Sequence, residues 1–206
     1  MSARRRLAIQ VAAVGLGLVP LATLCVRALT GRLGANPIEE ATHLTGSSAL
    51  RLLLLALAVT PARRWLRWHW AAPLRRSFGL LAFGYACLHL LIYLVLDQSL
   101  DGEAILEDVA ERPYVSAGLF AFLCLAPLAA TSTRAMVRRL GRRWKPLHRL
   151  AYVAAGAAVV HHLWLVKADL REPLVHASLL ALLLAARLPR GPFGPARDPA
   201  LGSRDS

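Results

Sequence analysis

Residues Ser77 to Leu96 read SFGLLAFGYACLHLLIYLVL, an uncharged run with one histidine, His89, set between Arg75-Arg76 and Asp97. At about 1.5 Å of rise per residue, such a run covers the roughly 30 Å of bilayer hydrocarbon as a helix. It predicts a transmembrane span carrying an ionisable side chain. That combination is costly and marks a candidate functional site.

Working outward, Leu7 to Val26 and Pro113 to Thr133 are uncharged runs of similar length and predict two further spans. Leu44 to Ala62, interrupted by Arg51, Leu150 to Val166, holding His161 and His162, and the shorter Pro173 to Ala186 complete a predicted six. The charge distribution supports that count. Arg4 to Arg6, the arginines from Arg63 to Arg76, the cluster from Arg134 to Arg149 and those from Arg187 onward put 19 of the 25 basic residues on one side. Ten of the 12 acids fall on the other. By the positive-inside rule both termini are cytoplasmic. The expected fold is therefore all-α: a polytopic membrane bundle of six helices over residues 1–187, followed by a disordered Pro-, Gly- and Arg-rich cytoplasmic tail, 188–206.

The net charge of +13 is explained by these loops, with anionic lipid headgroups as their partner, and nucleic acid is not expected. The first span follows a basic segment as a signal peptide would, but its apolar run is longer than a signal's and the charge alternation needs it as a span. Cys25, Cys87 and Cys124 fall inside spans and read as small buried residues. The tryptophans lie near the proposed interfaces, where indoles commonly sit.

The histidines carry the chemistry. His89 lies about seven residues from the outer end of the third span and His161 about five from that of the fifth. At about 1.5 Å per residue their depths nearly match, so one imidazole from each helix could hold a haem iron from opposite faces. His148, 13 residues before His161, lies about 20 Å deeper, at the cytoplasmic end. A second centre there would complete a path across the membrane. Its partner is open, with His69 conceivable. A turn of about 100° per residue gives His162, rather than His161, the face of His148, so His162 stands as a substitute ligand. His43 and His176 read as structural or interfacial. Arg51 pairs with backbone or snorkels or, at the depth of the outer pair, meets a haem propionate. With no C-x-x-C-H, a haem would be b-type. No Rossmann or P-loop glycine pattern and no internal repeat is found, so electrons are expected from a partner or a lipid-soluble carrier.

Several segments are familiar in order and spacing: Gly34-Ala-Asn-Pro-Ile, His43-Leu-Thr-Gly, Thr60-Pro, Leu88-His-Leu, Arg112-Pro-Tyr, Thr131-Ser-Thr-Arg-Ala-Met, Leu140-Gly-Arg-Arg-Trp-Lys-Pro-Leu-His148 and His161-His-Leu-Trp. From about Gly34 to Arg187 the chain resembles the MsrQ family, haem-binding membrane subunits of the bacterial periplasmic methionine-sulfoxide reductase system, within the ferric-reductase-like transmembrane superfamily. The resemblance implies an inner-membrane protein that takes electrons from the quinone pool and passes them to a periplasmic molybdopterin-containing reductase. The sulfoxide chemistry would occur on that partner. It further implies haem b at His89, His148 and His161, favouring His161 over His162, and FMN at residues it does not indicate. A stand-alone ferric reductase, another cytochrome b subunit and a cofactor-free transporter are the competing readings.

Overall fold

A computed structural model describes residues 3–166 and 169–187; the expected tail, 188–206, lies outside them. The described residues form nine α-helices: α1 (Ala3–Leu29), α2 (Pro37–Trp65), α3 (Leu74–Ile92), α4 (Gly102–Glu111), α5 (Pro113–Ala130), α6 (Arg134–Leu140), α7 (Trp144–Leu147), α8 (Leu150–Leu165) and α9 (Arg171–Ala185). Among them α1, α2, α5 and the stretch from His69 to Asp97 that contains α3 are long and apolar enough to cross a membrane. The predicted fifth and sixth spans are the helices α8, of 16 residues, and α9, of 15.

Large apolar side chains point outward along these helices, among them Leu16, Leu91, Leu123 and Leu182. In water such a surface would aggregate; against lipid it is the expected exterior of a membrane protein. The interior is built from small residues and leucine. Ala82, Ala154 and Ala155 are fully buried beside Leu54 and Leu57, which lets the helix backbones approach closely. The most extensive contacts join α2 to α3 and α5 to α8, giving two antiparallel helix pairs with α9 packed against α8 and α2.

Helix ends depart from the hydropathy boundaries for local reasons. The second helix begins at Pro37 rather than Leu44, because Asn36 caps it by accepting from the Glu39 N–H and Pro37 fits the first turn. Glu39 and Glu40 then lie where the helix dipole favours acids. The third helix does not run to Leu96 as one regular element; after Ile92 it widens into a π-helical turn, Tyr93–Asp97, one turn beyond His89. Helix α4, unexpected from hydropathy, is capped by the Asp101 carboxylate, which accepts from the Glu103 and Ala104 amides.

Pro20 sits inside α1, where its ring removes a backbone donor. Next to it, the Tyr85 hydroxyl accepts from the Leu21 N–H at 3.0 Å and donates to the Gly17 carbonyl at 2.9 Å. These are the donor and acceptor that an unbroken helix would pair with each other. Tyr85 thus ties α3 into the ladder of α1 and is itself only 4% exposed.

Candidate functional site

His89 and His161 are brought together. Their ring centroids lie 6.1 Å apart with the planes at 81°. Two imidazoles bound to one metal from opposite sides, at about 2 Å per bond, put their ring centres roughly 6 Å apart.

Each ring is positioned by the helix facing it. The His89 Nδ1 lies 3.0 Å from the Thr42 carbonyl on α2, and the His161 Nδ1 lies 2.6 Å from the Tyr114 carbonyl on α5. A carbonyl can only accept, so in both rings Nδ1 carries the proton and Nε2 keeps its lone pair. One helical turn along from each carbonyl stands a glycine. A Cβ on Gly46 would come within 3.0 Å of the His89 ring, and one on Gly118 within 2.8 Å of the His161 Nδ1. Both helix pairs therefore use one device: a carbonyl, then a glycine, holding a histidine 47 residues beyond the carbonyl. The chain has no repeat detectable by eye, yet the structure repeats this arrangement. Equal spacing of Gly46–His89 and Gly118–His161 is the signal that would have found it. A donor set of two neutral imidazoles, oriented and without another Nε2 partner among the described residues, fits haem iron.

The far side of this site is braced by a buried carboxylate. Asp108 on α4, 8% exposed, accepts from the Tyr93 hydroxyl at 3.0 Å, from Gln98 Nε2 at 2.9 Å and from Arg112. Three donors satisfy the charge that burial would otherwise penalise. The network joins the π turn after His89 to the start of α5, where Tyr114 meets His161.

His148 lies apart from that pair, between α7 and α8. Its Nε2 is 3.1 Å from the Thr131 hydroxyl, and its ring stacks on Trp144 at 3.9 Å. The Trp144 indole in turn donates to the Thr131 carbonyl. Partial burial, and after it the positive charge of Arg75, lower the His148 pKa and favour the neutral ring. The ring borders a cavity of about 640 Å³ whose lining includes Arg75, Arg76, Arg134, Arg138 and Trp144. His69 is not among its lining residues; it starts a short 3₁₀ turn, His69–Ala71, and is exposed.

Arg51 pairs with Glu172 of α9 at 2.6 Å through one guanidinium nitrogen. His162 points away from the His89–His161 pair, towards His176 of α9, with ring centroids 5.5 Å apart. His43 is half-exposed and lies 3.9 Å from Glu39.

Residues 45–159 match the family described as "Ferric reductase like transmembrane component". Curated proteins similar to the chain are named heme-binding subunit MsrQ of protein-methionine-sulfoxide reductase. That of Rhodospirillum rubrum is 54% identical, covering 83% of both chains. That of Deinococcus radiodurans is 51% identical over 84% of this chain and 85% of its own. The protein from Herminiimonas arsenicoxydans is 45% identical over 83% and 80%.

Proposed function

Since the chain belongs to the ferric-reductase-like transmembrane family, and within it to the MsrQ heme-binding subunits, we propose that it is the membrane electron-transfer subunit of a methionine-sulfoxide reductase system, with haem b ligated by His89 and His161. The observation that carries this is the paired imidazoles, each fixed by a backbone carbonyl and seated against a glycine. The Thr42 and Tyr114 carbonyls hold the tautomer and raise the basicity of each Nε2, which favours the oxidised state of a bound metal. When bound, haem b supplies a one-electron couple and no substrate chemistry.

In this reading six helices span the bacterial inner membrane with both termini cytoplasmic, as the alternating charge supports. The His89–His161 pair then faces the periplasm and a molybdopterin-containing catalytic subunit. His148 serves a second cofactor at the cytoplasmic end, fed from the quinone pool. Its cavity is within the usual range for small-molecule sites, and its four arginines suit an anionic group, either FMN phosphate or haem propionates. Arg51 keeps one edge of its guanidinium for a propionate of the outer haem, beside the edge that Glu172 engages.

A dithionite-reduced minus oxidised spectrum of the detergent-purified protein, with pyridine-haemochrome and flavin quantification, tests this. A b-type signal that is lost in His89→Ala supports the reading; full haem stoichiometry in that variant overturns the ligand assignment. A second haem per chain that is lost in His148→Ala puts an inner haem there, and a flavin lost in that variant puts FMN there.

A further inference from the structure

The sequence makes His162 a substitute haem ligand and His176 structural or interfacial; the structure gives them a common setting. Successive residues on a helix are turned by about 100°, so His161 faces α3 and α5 while His162 faces α9. There it meets His176 and Glu172, with one ligand atom from each of the three within 4.8 Å of the others. Among the described residues, neither the His162 Nε2 nor the His176 Nδ1, both buried, has a hydrogen-bond partner. His176 as a whole is only 5% exposed.

Two imidazole nitrogens without a partner, beside a carboxylate, call for a bound group to satisfy them. Imidazole and carboxylate together suit a divalent transition ion of the zinc or copper type, not a hard ion such as magnesium. We propose that His162, Glu172 and His176 form a binding site for one such cation, separate from the haem site. Donors around four-coordinate zinc lie about 3.4 Å apart, so the cluster has to contract slightly. Glu172 is the member free to do this, because its side chain is half-exposed while both imidazoles are packed. Arg51, on one carboxylate oxygen, orients it as outer-shell partners orient metal-ligating carboxylates. A bound ion would join α8 and α9 directly, and α2 through Arg51. It would also sit on the helix turn that carries His161, which couples it to the haem ligand.

The test uses the full chain as purified, affinity tag removed, titrated with zinc alone against a chromophoric competitor, followed by desalting and elemental analysis. One zinc per chain is expected. Glu172→Gln, at a half-exposed position, should weaken binding about tenfold or more, and His176→Asn should abolish retention. With copper(II) in place of zinc, electron paramagnetic resonance should show coupling to two nitrogens, reduced in His176→Asn. Failure to retain zinc at micromolar free metal overturns the proposal and leaves water as the partner of the two nitrogens. Retention unchanged in both variants overturns it as well, because the metal would then lie elsewhere. Since the haem spectrum is recorded on the same samples, either outcome stands whether or not His89 and His161 ligate haem.

Discussion

The His89–His161 site and the His148 site are both made from a histidine on a helix, yet they are built in opposite ways. At the first, two rings stand 6.1 Å apart and nearly perpendicular, and each is held by a carbonyl and a glycine one turn apart on the helix it packs against. At the second, a single ring is held by side chains, a threonine hydroxyl and a stacked indole, beside an arginine-lined cavity. Backbone atoms are fixed by the helix itself, so the first site is positioned by the fold and tolerates little. The second is positioned by replaceable groups and has room.

The largest expected effect separates the sites outright. His161→Ala should remove the outer haem and its share of the Soret absorbance, whereas His148→Ala should leave that share in place. If His148→Ala also abolishes the outer signal, the two sites are one unit and the comparison breaks. Next comes the glycine cradle. Gly118→Ala places a methyl 2.8 Å from the His161 ring nitrogen, and haem affinity measured by transfer to apomyoglobin should fall by about 10- to 100-fold. Gly46→Ala, at 3.0 Å, should cost less. Gly17→Ala is the control: its Cβ would meet the mobile end of Leu81, so haem binding should be unchanged. Asp108→Ala leaves Tyr93 without its acceptor and Gln98 with only the longer contact to Asp97, and thermal unfolding in detergent should show a loss of about 2–3 kcal/mol. The smallest effect is Thr131→Val, which removes one hydrogen bond to His148. It should cost about 1 kcal/mol and leave the outer haem spectrum untouched.

Sequence reading reached the pairing of His89 with His161 because depth along a helix is a linear quantity, read from the distance to flanking charges. The cradle left only the equal Gly–His spacing as a trace. Gly46 and Gly118 matter only through a neighbouring helix, and nothing local distinguishes them from Gly79 or Gly156, against which a Cβ would meet nothing. The same limit hid the partner of Arg51. Glu172 lies 121 residues away, and its contact with Arg51 depends on how α9 packs. The early start of α2 was locally written in Asn36-Pro37, but averaged hydropathy discounts a first turn that carries two acids.

Tyr85 makes one turn of the first helix depend on the third. Its hydroxyl stands between the Leu21 N–H and the Gly17 carbonyl and bonds both, although it lies 64 positions after Leu21. Unmet backbone groups in hydrocarbon cost several kcal/mol each. Contact between the two helices is therefore made through backbone as well as side chains, and sliding one past the other would break both bonds.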